Sequence, residues 1–234
     1  MSPLPSVASP TSSSPVTALI GLAGRHAGSV ETAAQLAGRT QAQRESGHGP
    51  VVAVDPVWAS LLPARGLERG HVCACTGDAA VSAALSLVAH ATQSGSWFAM
   101  VDMPRVGLVA AHEHGVALER TVCVDTDGVA QWAQVAGAVV DGIDIVAFAS
   151  PRCSPADARR ITARARAQGT VLVVVGNPGA FAPDVSLRAG TVSWEFDTHA
   201  AARTVHVQVS GRRVHTTRGA ELLLPSRAGA VARA

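Results

Sequence analysis

The sequence predicts an α/β fold with a mostly parallel sheet flanked by helices, and three observations carry it. From Gly70 onward, short β-branched runs alternate with Ala-rich helical stretches, the pattern of successive βαβ units. One run, Val171-Leu-Val-Val-Val175, has no polar alternation, as expected of a central parallel strand covered on both faces. After Gly190 the spacing changes to alternating strands joined by tight turns, an antiparallel extension. With 234 residues, 47% hydrophobic and 15% charged, the chain has enough apolar material for one such domain.

Taken in order, Met1 to Pro15 is a Ser/Pro-rich arm with neither a basic leader nor an apolar core, so it is expected to be disordered and to lack a secretory signal. Residues 16–49 read as a helical segment, Val16 to about Gln43, followed by a loop. Residues 50–190 form the predicted α/β core. Its strands are His71 to Cys75, Trp97 to Asp102, Thr121 to Val124, Ile143 to Ala149 and Thr170 to Val175. Between them lie helices at Ala79 to Gln93, Val106 to His114, Gly128 to Val140 and Pro155 to Gln168. The last is the best marked: Ser154 can cap it, Pro155 and Asp157 suit its first turn, and Gly169 supplies a left-handed stop. Residues 191–225 hold the antiparallel strands, Thr191 to Phe196, Thr204 to Val209, and Arg213 to Thr217 with Ala220 to Leu224. A disordered tail, 226–234, is expected to follow. No apolar run reaches membrane-spanning length, and the cytoplasm is the expected compartment.

All 19 basic residues are arginine, which removes phosphate-loop and Schiff-base lysines by inventory. Residues 1–149 carry 7 arginines against 12 acids, and residues 150–234 carry 12 against 5, so the C-terminal third is basic. Solvated arginines in an Arg-rich composition, or contact with nucleic acid or an acidic partner, both account for that bias. Cys73, Cys75, Cys123 and Cys153 form no CxxC pair and read as small buried hydrophobes.

The stretch from Gly66 through Gly77 to His90 resembles the entry to a RecA-type core, in which a turn feeds a strand, then a glycine, then an apolar helix. A working phosphate loop needs Gly-Lys-Ser/Thr at that helix; here the lysine position falls on Ser82 or Ala83, leaving Gly77, Ser82 and Ala83 as a vestigial loop. Two further positions by the same resemblance, a catalytic glutamate and a metal-side aspartate, fall on Pro104 and Ala149. With all three empty, neither ATP hydrolysis nor a cofactor or metal is expected. Asp144 lies at the wrong end of its strand for a ligand and reads as structural, whereas Asp102, at a C-terminal strand end, caps a turn or holds a metal. His112-Glu113-His114 reads as a solvated helix end, because adjacent helical residues face different ways. His199, His206 and His215 share no ligand spacing, and neither Ser150, Ser154 nor Ser82 sits in a nucleophile elbow.

Arg152, Arg159, Arg160, Arg164 and Arg166 cluster on and just before the capped helix, with Arg160 and Arg164 on one face. Arg203, Arg212, Arg213 and Arg218 add charge around the C-terminal strands, which end in Leu222-Leu223-Leu224. These arginines and leucines are the candidate contacts for a protein partner or for DNA; the competing reading has the leucines in the core and the arginines solvated.

The wider string resembles a family. Pro63-Ala-Arg-Gly-Leu-x-x-Gly70, the run Gly95 to Gly107, Glu113 to Arg120, Val139 to Val146, Ser154 to Arg160, Gly169 to Val175, Val207-x-Val-x-Gly-Arg-Arg-x-His-x-Thr-Arg218 and Glu221-Leu-Leu-Leu-Pro225 look like the actinobacterial ImuA′ proteins. One departure is Asn177-Pro-Gly after Gly176, where the family often has tryptophan; Trp194 stands in the next strand. The resemblance implies a RecA-like, nucleotide-independent accessory protein of the DNA-damage-induced mutasome, working in error-prone translesion synthesis. Its implied partner is ImuB, a Y-family polymerase relative, and through it the error-prone C-family polymerase and the sliding clamp. An atypical RecA-superfamily ATPase and a SulA-like cell-division inhibitor are the alternative readings.

Overall fold

The computed structural model describes residues 49–126, 132–149, 151, 153–198 and 200–234. The expected N-terminal arm, the helix from Val16, the start of the helix from Gly128, and Ser150, Arg152 and His199 lie outside the described residues.

Two short strands, β1 (Val51–Ala53) and β2 (Gly66–Glu68), pair antiparallel around the helix α1 (Pro56–Leu61). Gly66 is required there, because a Cβ would lie 2.6 Å from the Val52 carbonyl oxygen. Asp55 caps α1 by accepting the Val57 N–H at 2.8 Å, and Trp58 is fixed in the core by donating its indole N–H to Ser86 at 2.9 Å.

The main sheet has nine strands. They are β3 (Val72–Thr76), β4 (Phe98–Val101), β5 (Thr121–Val124), β6 (Ile145–Ala149), β7 (Val171–Val175), β8 (Val185–Phe196), β9 (Ala200–Ser210), β10 (Arg218–Leu223) and β11 (Ala232–Arg233). Their order is β11-β10-β9-β8-β3-β7-β6-β4-β5. Strands β3 to β8 run parallel, and β9 to β11 are antiparallel. The connecting helices are α2 (Ala80–Gln93), α3 (Leu108–Glu113), α4 (Trp132–Gly142) and α5 (Pro155–Gln168). Helix α5 has the expected ends: Ser154 Oγ accepts the Asp157 N–H at 3.1 Å, and Gly169 turns left-handed at φ +70°.

The sheet separates two cores. Val173 and Leu85 pack on one face with Val205, Leu222 and Leu224; Leu172 and Val174 pack on the other with Trp132, Phe148 and Ile161. Alternation along β7 thus feeds both layers, which is why its sequence is apolar throughout.

The C-terminal region differs from expectation in three ways. Strand β8 begins at Val185, not Thr191: it pairs in parallel with β3 through Arg188 and antiparallel with β9, so parallel core and antiparallel extension share one strand. Arg213 to Thr217 is a turn, because Gly211 at φ +137° lies against the Asp184 carbonyl and bends the chain there. The segment 226–234, expected to be disordered, includes β11, whose Ala232 and Arg233 pair with Leu223 and Leu222. Among the described residues, no helix is long and apolar enough to cross a membrane.

Candidate functional site

In a parallel sheet of this kind, ligands bind beyond the C-terminal strand ends where successive connections leave in opposite directions. In the observed order such points fall between β3 and β7 and on either side of β4, between it and β6 and between it and β5.

At the first, three residues, Gly77, Asp78 and Ala79, join β3 to α2. Ser82 and Ala83 lie inside α2, within the helix expected from Ala79, and Ala83 is fully buried, so of the three residues read as a vestigial loop Gly77 alone stands in the turn. The Ala-rich helix starts too early for a loop of phosphate-cradling length. The turn is also filled by the chain itself. Gly77, at φ +95°, lies so close to β8 that a Cβ would stand 2.1 Å from the Ala189 carbonyl oxygen. That carbonyl accepts the Ala79 N–H at 3.2 Å. Asp78 accepts the Thr191 N–H at 3.0 Å and the Thr191 hydroxyl, and receives Arg203 at 3.2 Å. These bonds, led by the Thr191 hydroxyl, hold the Asp78 carboxyl below its usual range. A helix N-terminus attracts anions, and here the Asp78 carboxylate stands just ahead of it, bonded to β8 and Arg203 instead of to the helix N–H groups.

At the second point, Asp102 adopts φ +51° and accepts both the Thr126 N–H, at 2.9 Å, and the Thr126 hydroxyl, at 2.7 Å. This ties the end of β4 to the chain leaving β5. Pro104 follows, and Ala149 ends β6, so neither position carries a carboxylate. A cleft of about 250 Å³ opens on the β5 side of this end of β4, lined by Met100, Asp102, Met103, Val106, Cys123 and Val124. Among the described residues, no three His, Cys, Asp or Glu side chains are placed to share a metal ion.

Asp144, at the opposite end of the sheet, is buried, accepts Arg69 Nη1 at 3.1 Å and the Trp97 N–H at 3.0 Å, and so ties β2–β3 to β4. His114 is 6% exposed, which corrects the reading of a solvated helix end for that residue. The loop carrying Gly229 lies against the end of α3, where a Cβ on Gly229 would come 2.7 Å from the Glu113 carbonyl oxygen. Burial, then the Arg203 charge, lowers the His114 pKa to about 4. His206 and His215 are exposed on the sheet extension. Of the cysteines, Cys73 and Cys75 are buried as expected. Their mutual hydrogen bond and burial push the Cys75 thiol well up, whereas Cys123, expected to be buried, is exposed on β5, the outermost strand of the sheet among the described residues.

The candidate contact residues do not form one surface. Leu222 and Leu224 are fully buried beside Val205, so the C-terminal leucine run completes the core instead of anchoring a partner; Leu223 is half-buried. This is a correction with a simple cause, since β10 alternates and its apolar face meets α1 and β9. Arg203 lies over the Trp194 ring at 4.9 Å as well as on Asp78. Arg212 donates to the buried Asp184 at 3.0 Å and to the Ala182 carbonyl. Arg213 reaches Glu68 at 2.8 Å. Arg218 is exposed. Arg160 and Arg164 line a groove of about 480 Å³ between α4 and α5, where Asp157 meets Arg160 at 3.2 Å and Asp141 forms a two-point pair with Arg164.

What the sequence reading missed is the outer end of the β8–β9 hairpin, where Val192, Trp194 and Phe196 are exposed. The alternating run Val192-Ser-Trp-Glu-Phe196 carried a strand signal but no sign of which face lacks a cover.

Comparison with known proteins places this geometry. The family model described as the MT3502 N-terminal domain matches residues 60–179. The uncharacterized protein Rv3395c of Mycobacterium tuberculosis is 38% identical over 118 residues, 49% of this chain and 56% of that protein, so the match spans little more than half of the relative. Among solved structures, the RadB recombinase superposes with a TM-score of 0.56 at 13% identity, covering 80% of this chain and all of RadB. At that identity the likeness speaks to the fold alone, which is RecA-like.

Proposed function

Because the chain belongs to the MT3502 N-terminal domain family and has a RecA-like fold, we propose that it is a RecA-like accessory protein that works through protein contacts and without nucleotide chemistry. One observation carries this reading: the turn between β3 and α2, where a phosphate would rest, is occupied by the Ala189 carbonyl and the Asp78 carboxylate. A triphosphate entering there meets a carboxylate already bonded to Thr191 and Arg203, finds no lysine anywhere in the chain, and must displace the bonds that hold β8 in place.

The more specific role is that of the ImuA′ proteins the sequence resembles: support of error-prone translesion synthesis within the damage-induced mutasome. In this role the chain binds an ImuB-type polymerase relative, which brings the C-family polymerase and the sliding clamp. The motifs that carry the resemblance support this role, and most of them lie on the parallel core and its antiparallel extension. Two measurements test the proposal. Calorimetric titration with Mg-ATP, with phosphate release followed with and without single-stranded DNA, is expected to show neither micromolar binding nor turnover. Co-purification with an ImuB-type protein is expected to give a stable complex. Turnover of ATP overturns the first half of the reading, and absence of any complex overturns the second.

A further inference from the structure

We infer that the outer half of β8 is a self-association surface, at which a second copy of this chain pairs with it edge to edge, antiparallel, about a two-fold axis at Glu195. The first observation is an open strand edge. β3 ends at Thr76, paired with Arg188, and among the described residues β8 from Ala189 to Phe196 has β9 as its one strand neighbour. Asp78 covers the edge at Thr191. From Val192 to Phe196 five consecutive residues are exposed, which a strand inside a finished sheet does not allow. An uncovered edge is a template for another strand.

The second observation is the side chains this edge carries. Val192 is 55% exposed, Trp194 43% and Phe196 71%, and the Trp194 and Phe196 rings lie 6.2 Å apart on one face. Aromatics so placed are the usual anchors of protein interfaces. With the axis at Glu195, Trp194 of each copy lies against Phe196 of the other, so one alignment repeats the same aromatic pair twice and is self-complementary.

Charge decides between occupants. Glu195 is paired with Arg227 and Arg203 with Asp78, both at 3.2 Å, and Asp197 stands exposed at the hairpin tip. The rim therefore has no positive excess to attract a polyanion, and the two Glu195 carboxylates that meet at the axis each bring their own Arg227 guanidinium, which offsets their repulsion. Area sets the strength. The two rings expose roughly 250 Å² per copy, well short of the ~800 Å² per partner of a stable interface, so the association is weak and concentration-dependent.

The full chain is to be followed by sedimentation velocity from about 2 to about 500 µM, a range spanning weak interfaces. The expected result is a monomer at the low end and a rising dimer fraction at the high end. In Trp194→Ser/Phe196→Ser the dimer is lost while the circular dichroism melt is unchanged, since both side chains are exposed. Glu195→Cys in a Cys123→Ser background gives an independent readout, because cysteines facing each other across the axis cross-link on mild oxidation while the Cys123→Ser parent does not. A monomer at every concentration overturns the inference, as does a dimer that the double serine variant retains or an axis cysteine that fails to cross-link.

Discussion

Asp78 and Arg203, 125 residues apart in the chain, meet at 3.2 Å and join the turn after β3 to the outer half of the β8–β9 hairpin. Arg203 also donates to Thr191 and covers the Trp194 ring, so one guanidinium connects the turn between β3 and α2 to the exposed aromatic edge. The same residues that close one potential site thus brace another.

Gly77 makes this junction possible, and Gly77→Ala tests it. The substitution places a Cβ in left-handed backbone and within 2.1 Å of the Ala189 oxygen, a backbone atom that cannot yield without moving β8. The cost is expected to be on the order of 3 kcal/mol in urea unfolding. Gly95→Ala is the control: φ is +100° but nothing lies within 4 Å, so about 1 kcal/mol is expected. Equal costs for the two variants would mean that the close approach to Ala189 contributes nothing.

What was legible in the sequence follows from where the stabilising contacts lie. Helix α5 could be read to the residue because Ser154, Pro155, Asp157 and Gly169 act within their own turns. The run Val171 to Val175 declared its two covered faces by composition. By contrast, β1, α1 and β2 are three to six residues long and depend on remote contacts such as Trp58 to Ser86, 28 positions away, so no local pattern marks them. The candidate site suffered the same way. Asp78 meets Thr191 across 113 residues, and no local pattern announces that partnership. The leucine run could be identified as apolar, but whether it faced a core or a partner depended on which strands lay beside β10.

Arg69 and Asp144 form a largely buried pair at 3.1 Å. Arg69→Ala leaves a buried carboxylate with the Trp97 N–H and without its cation, a loss expected to cost about 3 kcal/mol. Adding Asp144→Asn removes the stranded charge and should recover much of that. Chemical denaturation of the single and double variants measures the difference; a double variant no more stable than Arg69→Ala would show that the charge is not what matters.

Acid should weaken the fold in a specific window. Because the folded His114 pKa is lowered to about 4 from an ordinary 6.5, the unfolded chain binds the proton more readily between those values. The contribution is complete above pH 6.5 and is lost as pH falls towards 4, by at most about 3 kcal/mol. Asp78, also lowered, adds a further loss at still lower pH. In His114→Gln the slope between pH 6.5 and 4 should flatten. Thermal melts at half-unit intervals check this, and an unchanged slope would assign the acid sensitivity to another group.

The C-terminal leucines give the sharpest contrast between a core and a contact surface. Leu222 and Leu224 are fully buried, and β10 pairs with β9 from Arg218 to Leu223, so removing residues 218–234 strips two strands, β10 and β11, from the sheet and two large side chains from the core. That truncation is expected to yield insoluble or unfolded protein. Leu222→Ala alone should cost about 2–5 kcal/mol, whereas Leu223→Ala, half-buried on the other face, should cost about 1 kcal/mol or less. Binding to an ImuB-type partner, assayed only on variants whose circular dichroism is native, should be unaffected by Leu223→Ala. A folded, soluble truncation would return the leucine run to the surface, and a Leu223→Ala variant that folds but loses the partner would move the protein interface onto the outer face of β10.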